Sequence, residues 1–323
     1  MSIIMTKTTS SLPTSLRPKV KYLSQLLLQY KRQRKDNFGF HRLMNNIEEY
    51  QGYSEKYLGR PLNGLKALEI GYGPRPFLAS ALSARGAAVF GIDLECPMLR
   101  PSVRSFVNIA HRNGAERALK SLARLLIFGS HERAAFERTF RCSLGETMRH
   151  AHLIVGDAAD PNAWRAIPND LDLIISEDVF EHIPAPDLPA VLRCMAEHMS
   201  GDGLALIRPN IWTGITGGHF VEWYHTNVDD VHRKGRPPWS HLRTGEGEPS
   251  VYLNRLTLRD YAALFSRDFD IIDVANCEYG LGAQYLTPDV LAELPDEITK
   301  DDLLTNNVMF AMRKRSGTGR RRY

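Results

Sequence analysis

The sequence has few cysteines: Cys96, Cys142, Cys194 and Cys277 are the only four in 323 residues, far apart and without a C-x-x-C pair. That spacing excludes a zinc ribbon or a disulfide framework and suits a reducing, cytoplasmic setting. Long apolar runs are also missing. No stretch reaches the roughly 18 apolar residues of a membrane-spanning helix, and no secretory leader is recognisable, so the sequence predicts a protein that neither crosses nor leaves a membrane. Charge of one sign is scarce, with 41 Lys and Arg against 37 Asp and Glu and a net charge of +4. The excess gathers in Lys19, Lys21, Lys31, Arg32, Arg34 and Lys35 and again in Arg313 to Arg315 and Arg320 to Arg322. Such short runs read as solvated tails.

What is present is an ordinary globular composition, 43% hydrophobic and 24% charged, which can bury a core. Residues 1–16, rich in Ser, Thr and Pro, read as disordered. Residues 17–60 read as a helical extension, in which Tyr22, Leu23, Leu26, Leu27 and Tyr30 recur at helical spacing. From residue 65 short apolar runs alternate with helical stretches, the signature of a parallel sheet. Strands are expected at 66–70, 88–92, 153–155, 171–175 and 204–207, with a closing hairpin-like pair at 269–274 and 308–312. This is a Rossmann-like, doubly wound α/β domain over 61–313 with a mostly parallel seven-stranded sheet, followed by a basic tail at 314–323.

Two excursions are too long for ordinary connections. Residues 96–150 read as a helical insertion whose apolar face is Ala115, Ala118, Leu119, Leu122, Leu125 and Leu126. Residues 209–255, dense in Gly, Pro, His and Trp, read as an irregular lid. Beyond it, Thr257 and Asp260 mark a helix N-terminus, and the helix carries Tyr261, Leu264 and Phe265.

The strongest local signal is Ala67-Leu68-Glu69-Ile70-Gly71-Tyr72-Gly73-Pro74, an apolar strand entering a glycine turn and then a helix. Gly71 and Gly73 permit unusual backbone angles and close approach of a ligand. Asp93 ends the next strand, at the position where a doubly wound fold sets an acid on ribose hydroxyls. Gly156-Asp157-Ala158 follows the third strand and puts Asp157 in reach of an adenine amine. A dinucleotide fits poorly: Pro76 stands where its fingerprint has a third glycine and offers no N–H to a pyrophosphate. Glu69 would repel a pyrophosphate but suits a cationic amino end.

With these motifs in order, the chain resembles the class I S-adenosylmethionine (SAM) dependent methyltransferase family over roughly residues 60–210 plus the terminal strands. Glu69-Ile70-Gly71-Tyr72-Gly73 is similar to its first motif, Asp93 to its ribose acid and Gly156-Asp157-Ala158 to its adenine motif. Asp172 to Ser176 resembles its fourth strand, and Met199 to Leu204 the turn before its fifth. Arg75 departs from the third glycine of many members. The resemblance implies a SAM-dependent methyltransferase with cofactor residues Glu69, Gly71, Tyr72, Gly73, Asp93, Asp157, Ala158 and Ser176.

Past the fourth strand, Asp178, Glu181 and His182 fall at i, i+3 and i+4, which on a helical turn face one way and can hold a divalent cation. The plainer reading is that Glu181 and His182 cap and pin this loop. The segment is similar to the metal-binding stretch of ubiquinone-biosynthesis O-methyltransferases and of small-RNA 2′-O-methyltransferases, which have Glu where this chain has Asp178. Gly218-His219-Phe220-Val221-Glu222-Trp223 is similar to the place where a further His completes the small-RNA site. That likeness implies a Mg or Mn site of Asp178, Glu181, His182 and His219. Catalysis would rest on His182 and His219. Without a metal, His182, His219 or His225 serves as a base, and Trp212, Trp223 and Tyr224 form an acceptor wall.

The acceptor expected from two enclosing insertions is a hydroxyl on a small molecule or sugar. RNA ribose 2′-O-methylation is the rival, supported by the basic ends and weakened by the lack of an RNA-binding module. A non-catalytic SAM-binding scaffold subunit is the third reading.

Overall fold

The computed structural model describes residues 37–98, 103–224, 235–243, 249 and 251–315. The stripe from Tyr22 to Tyr30, the basic residues before 36, His225 and the tail from 316 lie outside the described residues. Among the described residues no helix is long and apolar enough to cross a membrane.

Helix α1 (Phe40–Leu58) leads into β1 (Lys66–Ile70), α2 (Phe77–Ala84) and β2 (Ala88–Asp93). Three helices follow, α3 (Val103–Asn113), α4 (Ala115–Phe140) and α5 (Leu144–His150), before β3 (His152–Val155). Then come β4 (Leu171–Glu177), α6 (Leu188–His198), β5 (Met199–Arg208), α7 (Leu258–Phe265), β6 (Phe269–Asn276) and β7 (Val308–Lys314). The seven strands lie in the order β3-β2-β1-β4-β5-β7-β6. β1 to β5 are parallel, and β7 runs antiparallel between β5 and β6. The sheet reverses direction between β1 and β4, the switch point at which a doubly wound fold opens a crevice at the carboxyl ends of its strands.

Alternation along the strands sends side chains to two cores, because successive residues of a strand face opposite ways. Leu68, Ile70, Ile174, Ala205 and Ile207 pack with Val191, Leu192 and Met195 of α6 and with Tyr261 and Phe265 of α7. On the other face, Ala67, Leu173, Ile175 and Leu206 pack with Phe40, Ile47 and Tyr50 of α1, Leu82 of α2 and Phe136 of α4. Helix α1 is therefore part of the core. The expected cap of α7 is present as a capping box: Thr257 Oγ1 accepts from Asp260 N at 3.2 Å, and Asp260 Oδ2 accepts from Thr257 N at 2.9 Å. Of the basic run after residue 312, Arg313 donates to the carbonyl of Tyr57 and Arg315 pairs with Asp270 at 3.1 Å.

Within residues 96–150 the described part is mostly helical, in α3, α4 and α5, as expected, but the apolar face differs. The buried seam is Ala118 with Leu122 and Leu125, packed on Met98 and Ile109. Leu119 and Leu126 are 50% and 66% exposed. The reason is length: the first half of the 26-residue α4 is covered on one side by α3, and its second half enters the main core through Ala135 and Phe136.

Of the segment read as an irregular lid, residues 225–234, 244–248 and 250 lie outside the described residues. Residues 209–220 are irregular but almost wholly buried, and their cover is the β6–β7 connection, to which the sequence reading assigned nothing. Asn306, fully buried, makes the joint. Its Oδ1 accepts from Thr216 N at 3.1 Å, and its Nδ2 faces the carbonyls of Glu278, Leu281 and Leu304 at 3.2 to 3.3 Å. Gly217 completes it, since a Cβ there would lie 2.2 Å from the carbonyl oxygen of Trp212. Replacing Asn306 by Ala leaves several buried polar groups unpaired and is expected to cost about 2–4 kcal/mol of folding stability. Denaturant unfolding checks this; an unchanged midpoint would contradict it.

Candidate functional site

The first half of the site is built where β1, β2 and β3 end. Gly71 N–H donates to Ile92 O at 2.9 Å and Gly156 N–H to Asp93 O at 2.8 Å, which holds the three loops side by side. Gly71 has φ of 85°, and a Cβ on it would come within 2.2 Å of a Val179 methyl, so only glycine lets the loop after β4 close on the loop after β1. Asp93 braces the turn: Oδ2 accepts from Gly73 N at 2.7 Å and Oδ1 from Glu95 N at 2.6 Å. Burial pushes its pKa up, while those two amides and the Arg117 charge pull the other way. Each oxygen keeps a lone pair for a further donor.

Glu69 points to the α2 side of the sheet, 5% exposed, and its Oε2 has no hydrogen-bond partner among the described residues. Burial drives its pKa up to about 8, with a smaller opposing effect from the Ala79 amide. An orphaned buried carboxyl is costly unless a cation or donor meets it. Asp157 stands open on the β3 loop, with Oδ1 accepting from Ala159 N at 2.9 Å, and the Ala158 carbonyl accepts from Trp164 Nε1 at 2.9 Å. Adenosine joined to a sulfonium fits this donor and acceptor set: a diol on Asp93, an amine on Asp157, positive charge near Glu69. The hydroxyls of two of the expected cofactor residues are engaged by the frame. The Ser176 hydroxyl, buried, donates to Ile70 O at 2.9 Å. The Tyr72 hydroxyl lies between the carbonyls of Ile154 and Glu95 at 3.1 and 3.2 Å, with its ring packed on Gly91.

Beyond the end of β4 the expected helical turn is absent. Asp178 has φ of 52°, in the left-handed region, and only Phe180–His182 is helical, as a single tight turn. The i, i+3, i+4 face therefore does not form, and Asp178 separates from Glu181 and His182. Its Oδ1 accepts from Asn307 Nδ2 at 3.1 Å. Glu181, His182 and His219 do meet, with one ligand-type atom from each lying within 4.8 Å of the others. His219 Nε2 is 3.6 Å from Glu181 Oε1, and His182 Nδ1 lies 3.0 Å from the carbonyl of Tyr252.

Both oxygens of Glu181 are buried without a hydrogen-bond partner among the described residues. Burial, then the charge of Asp178, pushes the Glu181 pKa well up. Burial, with His182 and His241 nearby, pushes that of His219 down to about 4, so this imidazole stays neutral, as a metal ligand must. His219 also sits at positive φ, 53°. Left-handed backbone at Asp178 and His219 is the kind of local cost that folds carry at working sites.

The third part, absent from the sequence reading, is a cavity of about 570 Å³ at the ends of β4, β5 and β6 and the start of β7. Arg42, Asn46 and Glu49 of α1 line one side, Glu177, Asp178 and Arg208 the base, and Asn210, Glu278 and Asn307 the other side. Arg208 Nη2 meets Glu177 Oε2 at 2.6 Å and its Nη1 meets Glu49 Oε2 at 3.5 Å, while Asn46 Nδ2 reaches both Glu177 oxygens at 3.1 and 3.2 Å. Burial raises the Glu177 pKa against the pull of Arg208.

Of the residues expected to form an aromatic wall, Trp212 and Trp223 do not line this cavity. Trp223 is buried with Ile215, Phe220 and Trp239 in a separate small core. Trp212 packs edge-on against His241, with ring centroids 4.7 Å apart. The side chain of Tyr224 lies outside the described residues. The signal that could have pointed to the cavity is modest: Arg208 and Asn210 follow one apolar strand and Asn306-Asn307 precede another.

A doubly wound sheet with an antiparallel seventh strand inserted before the sixth, carrying acids at the ends of β1, β2 and β3, defines a class I methyltransferase. Residues 29–211 match the family model described as a methyltransferase domain, and the chain belongs to the SAM-dependent methyltransferase family. A comparison with curated proteins returns no match.

Among solved structures, the chain is similar to a TehB-like SAM-dependent methyltransferase from Corynebacterium glutamicum. Identity is 14%, covering 90% of this chain and 99% of that one, with a TM-score of 0.40. It is similar to a SAM-dependent methyltransferase from Mesorhizobium loti at 17% identity, 78% and 92% coverage and a TM-score of 0.40. It is also similar to magnesium protoporphyrin IX methyltransferase from Synechocystis at 13% identity, 84% and 82% coverage and a TM-score of 0.40.

Proposed function

We propose that this enzyme methylates a hydroxyl of a small polar molecule or sugar held in the cavity between α1, the strand ends and the β6–β7 connection. The observation that carries the reading is that cavity, whose lining is mostly polar and which begins at Glu177 and Asp178, at the end of the strand that flanks β1. Its volume lies in the range of small-molecule sites and suits an enclosed acceptor better than a polymer.

In the transfer, SAM supplies the methyl group: its carbon–sulfur bond breaks as the oxygen–carbon bond forms, and S-adenosylhomocysteine and a proton are released. Asp93 and Asp157 orient ribose and adenine. Glu69 faces the cationic end. The acceptor hydroxyl must lose its proton, and the Glu181, His182 and His219 cluster is the group of residues suited to promote that loss. Its chemistry, one carboxylate and two imidazoles, also fits a divalent cation, which would stabilise an alkoxide. Asp178 belongs to the acceptor cavity in this reading. Incubation with methyl-labelled SAM and a panel of alcohols and sugars tests the proposal. Label is expected on a hydroxylated acceptor, and label found only on RNA or on no acceptor would reject it.

A second expectation concerns Glu69. With a pKa of about 8 in the free protein, its carboxyl holds a proton at neutral pH, and a neighbouring cation favours the ionised form. SAM binding therefore releases a proton, and affinity rises with pH until about 8 and then levels. Calorimetry in buffers of different ionisation enthalpy measures the proton count. No proton release, or a release that survives Glu69→Gln, would remove this role.

A further inference from the structure

The charge and hydrogen-bonding pattern of the acceptor cavity says more than that its occupant is polar. Four carboxylates, Glu49, Glu177, Asp178 and Glu278, face it, against the two guanidiniums of Arg42 and Arg208. Arg208 is already engaged by both Glu177 and Glu49, and Arg42 stands exposed at the rim. Among the described residues, carboxylates outnumber guanidiniums in this partly enclosed space, where fields are stronger than at an open surface.

Two buried amides add an independent observation. Asn210, 5% exposed, spends its Oδ1 on the Thr216 hydroxyl, and its Nδ2 has no hydrogen-bond partner among the described residues. Asn307, 8% exposed, spends its Nδ2 on Asp178, and its Oδ1 has no hydrogen-bond partner among the described residues. One unused donor and one unused acceptor on neighbouring residues, joined by the Asn210–Asn307 backbone bridge, match a hydroxyl, which both accepts and donates. Among the described residues no aromatic ring lines the cavity, so none of them favours a flat conjugated acceptor.

We propose that the acceptor is an amino sugar or amino-polyol: a molecule with hydroxyls for Asn210 and Asn307 and a protonated amine for the surplus carboxylates, with Glu278 and Glu49 selecting the amine. The inference rests on the small-molecule hydroxyl reading above and adds the sign of the acceptor's charge.

The test uses the full chain loaded with S-adenosylhomocysteine, titrated at neutral pH with glucosamine, glucose and glucuronate, which differ mainly in charge. The expected order is glucosamine about tenfold or more tighter than glucose, with glucuronate weakest. Glu278→Gln is expected to reduce the preference for glucosamine over glucose severalfold while leaving S-adenosylhomocysteine binding unchanged. Equal affinities, a preference for glucuronate, binding of none of the three, or a preference untouched by both Glu278→Gln and Glu49→Gln would overturn the inference.

A parallel turnover assay with labelled SAM keeps the two claims apart. Methylated glucose with no preference for the amine defeats only the charge assignment. Absence of O-methylation on every polyol, with SAM still bound, defeats the underlying reading.

Discussion

Replacing Asp93 by Asn is expected to weaken SAM binding about 100-fold while leaving the protein folded. Each Asp93 oxygen already accepts one backbone N–H, from Gly73 and from Glu95. An amide must turn its NH2 toward one of those N–H groups, so the variant sets two donors face to face and loosens the glycine turn. It also loses the charge that strengthens hydrogen bonds to two ribose hydroxyls, each worth about 1.5–3 kcal/mol when one partner is ionised. A net loss of roughly 3 kcal/mol is about 100-fold in affinity. Calorimetric titration of SAM against both proteins, with unfolding followed alongside, checks it. Wild-type affinity in the variant would take Asp93 out of the cofactor site.

The second large effect is expected at the carboxylate–imidazole cluster. Glu181→Gln and His219→Ala should each lower the methyl-transfer rate by about 100-fold or more, the scale of losing a proton-transfer or alkoxide-stabilising group, with SAM affinity within a few-fold of wild type. If the cluster works through a cation, a chelator reproduces the loss in the wild type and Mg or Mn restores it. Asp178→Asn should behave differently. Its carboxylate is turned to Asn307, so the change is expected to raise the KM for the acceptor and to leave the response to chelator as it was. Full turnover in both cluster variants would refute the assignment. Chelator insensitivity with inactive variants would leave a metal-free base as its form.

The parts of this account legible in the sequence are those governed by local pattern. Strands such as Lys66–Ile70 stand out because buried parallel strands are near-continuous apolar runs, and the acids at their ends follow directly in the chain. Thr257 and Asp260 announced their helix because a cap is a contact over three residues. What failed was non-local. Leu119 and Leu126 are apolar at helical spacing, yet nothing in their neighbourhood tells that α3 covers one side only. Asp178 was assigned to a helical turn that its left-handed backbone prevents. The cavity was invisible for the same reason: Asn46, Glu177, Arg208 and Asn307 lie far apart in the chain and meet only when β7 inserts between β5 and β6.

The central claim, methyl transfer to oxygen in that cavity, is tested most directly by supplying SAM carrying a carbon-13 methyl group together with glucosamine and following the product by NMR. The account predicts a methyl carbon bonded to a hydroxyl oxygen of the acceptor, with the signal lost in the Asp93 and His219 variants. A methyl group on nitrogen or carbon, or an oxygen-bound methyl formed equally well by the variants, would contradict it.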